Sequence, residues 1–209
     1  MTTIRRLAGS CVVVTTGAGT TLFDPGYPCF EPGVVDLDSI GDVNRILITH
    51  EHADHVDPRF VRWLIDHNHG VVVHSNQAVA TLLAPHHIEV ATGTLEEVTW
   101  EDVTHEVIPT GEAPPNRSYT VSGEFTHPGD SYQPTTSAPI LALPLLIPWG
   151  STTESVTFAR RLHPRWVVPI HDFYLSEEGR RWVTGIAARV LGAEGIGVLP
   201  LDWGESYSI

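Results

Sequence analysis

Four side chains that can bind metal ions lie within one short stretch of the sequence, at His50, His52, Asp54 and His55. Imidazole and carboxylate groups are the ligands that borderline divalent metals such as Zn2+ prefer. His50 and His52 are two positions apart, so on an extended segment their side chains point the same way. Asp54 and His55 follow where the chain turns, and they can face a neighbouring metal position. One loop could therefore serve two ions, although a chain with 12 histidines could also place several of them in a surface loop by chance.

The elements around this stretch place it at the end of a strand, where functional loops are common. The apolar run 45–49 predicts that strand, and Asp57 and Pro58 are typical of the N-cap and first residue of a following helix. We expect further strands at 10–15, 20–24, 71–73, 165–170 and 197–201, and further helices at 75–84, 153–162 and 176–191. The region 98–148 is strand-like, because its prolines leave no room for a long helix. This order predicts an α/β fold of αββα type, a four-layer sandwich of two mixed β-sheets flanked by helices, in a single domain over residues 1–209.

The composition excludes several classes of chemistry. All 12 basic residues are arginine, so mechanisms that need a Schiff-base lysine or a P-loop lysine are excluded. The formal net charge of -13 argues against a protein that coats nucleic acid. No apolar segment approaches the length of a membrane span or of a secretory signal, and two cysteines do not make a disulfide framework. We therefore expect a cytoplasmic protein with a small-molecule substrate and no nucleic-acid or membrane partner, while homo-oligomer formation stays open.

The metal-binding stretch also carries a resemblance to a known family. The segment 50–55, HEHADH, matches the HxHxDH signature of the metallo-β-lactamase fold superfamily, and the segment 22–26, LFDPG, resembles that family's early strand and turn. Within the superfamily the chain resembles small hydrolases related to ascorbate-6-phosphate lactonase. The segments that carry this finer resemblance are 127–130 (HPGD), 148–150 (PWG) and 169–172 (PIHD). The similarity extends over nearly the whole chain.

The resemblance implies two metal ions per chain, expected to be Zn2+ with Mn2+ as an alternative. His127 would pack against or orient Asp130 and would not bind metal, and Asp172 would support the turn that carries the last histidine ligand. The implied ligands are His50 and His52 for the first ion, Asp54, His55 and His171 for the second, and Asp130 as the bridge between them.

One ligand of the first ion is missing from the expected place. The family supplies a third histidine from a loop between the signature and the bridging aspartate, but the segment 108–116, IPTGEAPPN, contains none. Glu112 is the candidate replacement, since a carboxylate oxygen can take a zinc or manganese position. Otherwise Glu112 is an ordinary surface acid and the first ion is weakly held. His105 precedes this loop and shares a face with Val103 and Val107, so we interpret it as a core or edge histidine.

The activity that the resemblance implies is metal-dependent hydrolysis. Two divalent ions lower the pKa of a shared water, so that a hydroxide bridging the metals can attack an ester, lactone or phosphoester bond. Asp54 is the expected catalytic residue, orienting the water and accepting its proton. Arg117 is either a contact for an anionic substrate or a surface arginine. Two alternatives stay open: a degenerate member that binds metal or ligand without catalysis, and an iron oxidoreductase of the same fold.

Overall fold

The computed structural model describes residues 1–145 and 149–209. Strands β1 to β12 are, in chain order, Thr3–Arg6, Val12–Thr16, Gly19–Phe23, Arg45–Leu47, Val72–His74, Val98–Thr104, Pro115–Val121, Phe125–His127, Ile140–Pro144, Trp166–Ile170, Gly197–Val198 and Ser206–Ser208. Helices α1 to α5 are Tyr27–Phe30, Pro58–His67, Gln77–Leu83, Thr152–Leu162 and Glu177–Gly192. Short 3-10 helices lie at Leu37–Ser39 and Ala84–His86. Within the described ranges, no helix combines the length and the apolar character needed to cross a membrane.

The strands form two mixed sheets of six strands each. The first sheet has the order β12-β1-β2-β3-β4-β5, antiparallel as far as β3 and parallel from β3 to β5. The second has the order β11-β10-β9-β8-β7-β6, antiparallel from β6 to β8 and parallel from β8 to β11. Parallel neighbours end at the same edge of a sheet. The loops after β3 and β4 therefore share one edge of the first sheet, and those after β8 and β10 share one edge of the second.

The buried apolar side chains form three layers, because successive residues of a strand point to opposite faces of the sheet. In β9, Ile140 faces the other sheet, whereas Leu141 faces α4 and α5, so both side chains are buried. Between the sheets, Phe23 packs on Phe125 with ring centroids 5.4 Å apart. Helices α2 and α3 cover the outer face of the first sheet. The predicted αββα sandwich of two mixed sheets is confirmed.

The helices begin at capping residues that can be read from the sequence. The Asp57 carboxylate accepts a hydrogen bond from Arg59 N at the start of α2, and the Ser176 hydroxyl accepts one from Gly179 N at the start of α5. The helix expected from residue 75 begins at residue 77, because Asn76 is its cap. Strands β1 and β12 are absent from the sequence prediction; both are short, and β12 is exposed along its length.

Candidate metal centre

The metal-binding stretch packs against the turn that follows β3. Asp24 comes directly after this strand, and its carboxylate accepts hydrogen bonds from Thr49 N (2.8 Å) and Thr49 Oγ1 (2.9 Å). Two residues further on, a Cβ at Gly26 would lie 1.8 Å from the backbone oxygen of Asp54. Only glycine leaves room for this approach, so the turn and the metal-binding stretch contact each other backbone to backbone.

His50, His52, His105 and Asp130 form the first group of candidate ligands, and one donor atom from each lies within 4.8 Å of the others. His50 Nε2 is 3.1 Å from His52 Nδ1, and His105 Nε2 is 3.2 Å from Asp130 Oδ2. His52 is half-buried and the other three residues are buried. Three imidazoles and one carboxylate are a donor set that suits Zn2+.

Asp54, His55 and His171 form the second group, again with one donor atom from each within 4.8 Å of the others. His171 Nε2 is 3.4 Å from Asp54 Oδ2. Asp130 lies beside this group as well: His55 Nε2 is 3.2 Å from its Oδ1, and His171 Nε2 is 3.1 Å from its Oδ2. Asp130 therefore lies between the two groups, where a bridging carboxylate would have to be.

Several donor atoms of the centre lack hydrogen bonds. His55 Nε2, His171 Nε2 and Asp130 Oδ1 are buried and have no hydrogen-bond partner among the described residues. His55 Nε2 and Asp130 Oδ1 are only 3.2 Å apart, but they are not aligned for a hydrogen bond to each other. Buried polar atoms without partners are rare in folded proteins. Because a divalent cation among these atoms would satisfy all of them, the residues present fit a metal ion.

Protons on histidines balance the carboxylate charge when the centre holds no metal. Burial would lower the pKa of His171, but the adjacent Asp130 carboxylate outweighs burial and raises the pKa to about 9. Burial also opposes the shift at His55, whose pKa is raised by Asp130 and Asp24. Burial would raise the pKa of Asp54, yet the adjacent His171 ring and the charge on His55 lower it to about 2. A metal ion supplies the same positive charge, so metal binding would release these protons.

The ring nitrogens that face away from the centre have partners of their own. His55 Nδ1 is 2.7 Å from Asp24 Oδ2, and His50 Nδ1 is 3.0 Å from the hydroxyl of the preceding threonine. His105 Nδ1 donates to the backbone carbonyl of the next residue. Partners of this kind fix the orientation of a histidine ring and raise its basicity toward a metal.

The segment 127–130, HPGD, directs the Asp130 side chain toward the metal centre. Both ring nitrogens of His127 are occupied, since Nε2 donates to Ser10 O (2.9 Å) and Nδ1 accepts from Gly129 N (3.2 Å). Gly129 has a φ of +62°, and a Cβ there would lie 2.1 Å from Asn116 Oδ1, which in turn accepts from Asp130 N (3.2 Å). These are the contacts of a histidine that packs against backbone groups and does not itself bind metal, whereas Asn116 holds the backbone of Asp130.

The turn after β10 carries His171 and is anchored through Asp172. His171 has a φ of +62°, and its backbone N–H donates to Gly9 O (3.0 Å). The Asp172 carboxylate forms a buried ion pair with Arg6 and lies 4.0 Å from Arg180 Nε. Asp172 therefore ties this turn to β1 on one side and to α5 on the other.

Comparison with known proteins identifies the family. Residues 4–57 match the family model of the metallo-beta-lactamase superfamily. The sequence is also similar to Protein Rv0786c of Mycobacterium tuberculosis, with 31% identity over an alignment of 186 residues that covers 82% of this chain and 84% of the relative. The chain belongs to the metallo-β-lactamase superfamily.

Solved structures share the superfamily fold along nearly the whole chain. A protein of Parabacteroides distasonis, provisionally described as a metal-dependent hydrolase, has a TM-score of 0.72 at 20% identity, covering 94% of this chain and 90% of that one. Igni18, a metallo hydrolase from the archaeon Ignicoccus hospitalis, has a TM-score of 0.71 at 14% identity and is covered, like this chain, over 100% of its length. The closer resemblance to the branch related to ascorbate-6-phosphate lactonase stays a prediction.

The candidate ligand set in the structure differs from the predicted one at the third histidine of the first group. His105, interpreted above as a core or edge histidine, is buried but belongs to the metal centre. Strand β6 ends at Thr104, so its alternation does not continue to His105. Glu112, the predicted replacement, lies on an exposed turn and is in neither group. The structure brings the other six predicted ligands together: His50, His52, Asp54, His55, Asp130 and His171.

A cleft of about 330 Å³ opens onto the metal centre. Apart from candidate ligands, it is lined by Ile108, Trp149 and Tyr174. Trp149 Nε1 donates a hydrogen bond to Asp130 Oδ2 (3.0 Å), so this residue both lines the cleft and supports the shared carboxylate. A larger cleft of about 550 Å³, at the turn between β2 and β3, contains none of the candidate ligands. The smaller cleft is therefore the candidate active-site cleft.

Tyr132 and Pro148 each lie within two residues of a cleft residue in the sequence. Tyr132 lies behind Trp149, with ring centroids 5.3 Å apart, and its hydroxyl is 2.7 Å from Ser155 Oγ. Tyr132 therefore packs and does not line the cleft. Pro148, in the segment 148–150 that carries the finer resemblance, lies outside the described residues.

Proposed function

We propose that this chain is a metal-dependent hydrolase that uses two divalent metal ions, expected to be Zn2+, to cleave an ester, lactone or phosphoester bond in a small molecule. The observation that carries the proposal is the position of Asp130 between two ligand groups, among buried donor atoms that have no hydrogen-bond partner in the described residues. In the proposed arrangement the first ion is held by His50, His52 and His105, the second by Asp54, His55 and His171, and Asp130 contacts both.

Bound divalent ions would supply Lewis acidity, which makes water nucleophilic near neutral pH and offsets negative charge that develops on the substrate. Asp54 is the candidate catalytic residue, because its side chain is 25% exposed and lines the cleft, whereas Asp130 is buried. Asp54 Oδ2 lies 3.4 Å from His171 Nε2. The other oxygen, Oδ1, is left to orient the attacking water and accept its proton.

The first ligand group supports a catalytic protein over a degenerate one. The degenerate alternative depends on the loss of the third histidine from the first metal site. We assign His105 to that place, because its Nε2 lies 3.2 Å from Asp130 Oδ2 and it belongs to the first candidate group. Structural similarity to the metal-dependent hydrolases named above supports the same reaction class.

Counting metal ions per chain tests the proposal. The protein is purified without chelator, supplied with Zn2+ or Mn2+, dialysed and analysed by plasma mass spectrometry. We expect about two ions per wild-type chain and about one in His105→Ala, since a two-metal site needs a full ligand set for each ion. Glu112→Ala is the matched control and should keep both ions, because Glu112 is exposed and lies outside both groups.

The same preparations are assayed on a panel of esters, lactones and phosphoesters. Hydrolysis by the wild type and by Glu112→Ala, together with a loss of at least tenfold in His105→Ala, would support the proposal. Fewer than one ion per wild-type chain after metal supply would contradict the two-metal centre. Two bound ions with no hydrolysis of any member of the panel would favour the binding-protein alternative.

A further inference from the structure

The wall of the cleft beside the candidate ligands is apolar. Ile108, Trp149 and Tyr174 are the lining residues that take no part in the two metal groups. The Trp149 ring is packed between others, with its centroid 5.2 Å from that of His105 and 5.3 Å from that of Tyr132. A molecule that reaches the metal centre must lie against one aliphatic and two aromatic side chains, which favours apolar or planar groups.

None of the arginines of the protein lines this cleft. The chain has no lysine, and all of its arginines fall within the described residues. Arg117, the candidate for contact with an anionic substrate, has its guanidinium bound elsewhere: Nε donates to Asp102 Oδ1 (2.7 Å) and a terminal nitrogen donates to Ser75 O (2.6 Å). Residues 146–148, outside the described ranges, are leucine, isoleucine and proline and carry no charge.

An anionic group remote from the scissile bond would therefore have no cation to pair with in this cleft. Transfer of such a group from water to an apolar wall is unfavourable unless the group is paired or hydrogen-bonded. The formal net charge of -13 adds repulsion at longer range. Negative charge at the scissile bond itself is a different case, since bound metal ions would offset it.

We infer that the substrate is a small molecule whose non-reacting part is uncharged and apolar or aromatic, and that carboxylates or phosphates placed away from the scissile bond are discriminated against. This inference rests on the proposed hydrolase function and narrows its substrate class. Ile108 is the specificity-determining position, because it is half-buried on the cleft wall and belongs to neither metal group.

A pair of para-nitrophenyl esters that differ in charge tests the inference. One is the monoester of adipate; in the other an isopropyl group, similar in shape, replaces the free carboxylate. We expect the metal-loaded wild type to hydrolyse the neutral ester with a kcat/KM at least tenfold above that for the anionic ester. Equal values, or a preference for the anionic ester, would overturn the inference while leaving the hydrolase function intact.

An arginine on the cleft wall should supply the missing cation. Ile108→Arg is expected to raise the kcat/KM for the anionic ester at least fivefold relative to the neutral one. Ile108→Gln controls for loss of the apolar side chain, and Val107→Arg adds the same charge at a neighbouring side chain that is 63% exposed and outside the cleft. The inference fails if Val107→Arg shifts the preference as far as Ile108→Arg does.

The affinities for two unreactive ketones test this inference independently of the hydrolase function. In these analogues of the two esters a CH2 group replaces the ester oxygen, so they can bind without being cleaved, and their Kd is measured by calorimetry on the metal-loaded protein. Tighter binding of the neutral ketone by at least tenfold supports the inference even if neither ester is hydrolysed, in which case the proposed function alone fails. Equal or tighter binding of the anionic ketone overturns the inference whatever the activity.

Discussion

Two kinds of buried histidine occur in this chain, and they differ in what their ring nitrogens contact. The nitrogens of His74 lie 3.1 Å from a tyrosine hydroxyl and 2.6 Å from a backbone carbonyl. Those of His127 lie 2.9 Å from a backbone carbonyl and 3.2 Å from a backbone N–H. In His55 and His171, by contrast, Nε2 is buried and has no hydrogen-bond partner in the part of the chain that the structure describes.

This difference separates structural histidines from candidate metal ligands better than burial does, since all four are buried. A neutral imidazole has one donor nitrogen and one acceptor nitrogen, so a ring whose two nitrogens are both bonded to groups outside the candidate ligands has nothing left to offer a metal ion. In a buried ring with one unbonded nitrogen facing a carboxylate, that nitrogen has no partner until a cation binds. His105 belongs with the second kind, because the partner of its Nε2 is Asp130, the carboxylate shared by both metal groups.

Replacement of one histidine of each kind by phenylalanine gives the largest predicted contrast. His55→Phe removes a donor atom, so it should weaken metal binding by more than roughly 100-fold, beyond the effect of losing a supporting contact. His127→Phe should leave the metal affinity nearly unchanged but lower the free energy of unfolding by about 1–3 kcal/mol, because two buried backbone groups lose their partner. Chelator competition measures the affinity, and urea unfolding of the metal-free chain measures the stability. If His127→Phe folds but no longer binds metal, the hydrogen bonds of the ring nitrogens do not distinguish structural histidines from candidate metal ligands.

The bonded nitrogen of a metal-binding histidine gives a second, smaller contrast. Asp24 Oδ2 lies 2.7 Å from His55 Nδ1, so Asp24→Asn should misorient the ring and weaken metal binding by about 10–100-fold in the same chelator assay. Asp57→Asn is a matched control: Asp57 is also buried, but its carboxylate caps α2, and asparagine caps helices equally well. Unchanged affinity in Asp24→Asn would mean that packing alone holds the His55 ring.

The periodic and capped elements of the fold can be predicted from the sequence, and the first and last strands cannot. Helix α5 is expected at 176–191 and observed at Glu177–Gly192, with Ser176 as its cap. Strands β1 and β12 pair with each other from opposite ends of the chain. Their short length and the exposure of β12 leave little local signal, because strand formation there depends on a distant partner.

The ligands that lie in short motifs can also be predicted, whereas His105 depends on where a strand ends. The alternation that suggested a core position for His105 assumes that β6 continues, but the strand stops at the residue before it. A usable signal was present: His50, His105 and His171 each follow the end of a strand by no more than three residues. Glu112 has a suitable ligand group, but its turn, closed by a hydrogen bond from Ile108 N to Glu112 O (3.0 Å), leaves it exposed.

The smallest predicted effect concerns His74. Its contacts keep the imidazole in the neutral form. Burial lowers the pKa of His74; the hydrogen bond to the Gly93 carbonyl opposes this shift, and the positive charge of Arg117 adds to it. In the unfolded chain the pKa is the ordinary value of about 6.5. The stability that neutral His74 contributes is therefore fully present above that pH, and it is lost as the pH falls through the lower folded-state pKa.

Comparison of the metal-free wild type with His74→Phe isolates this effect, since the other titrating groups are common to both chains. Between about pH 7.5 and 5.5, where histidines titrate, the free energy of unfolding in urea should fall more steeply for the wild type. The variant should be less stable at both pH values, because the Tyr119 hydroxyl loses its partner. Equal slopes would mean that bonding of both nitrogens does not keep a buried histidine neutral. The distinction between the two kinds of histidine would then rest only on the metal affinities of His55→Phe and His127→Phe.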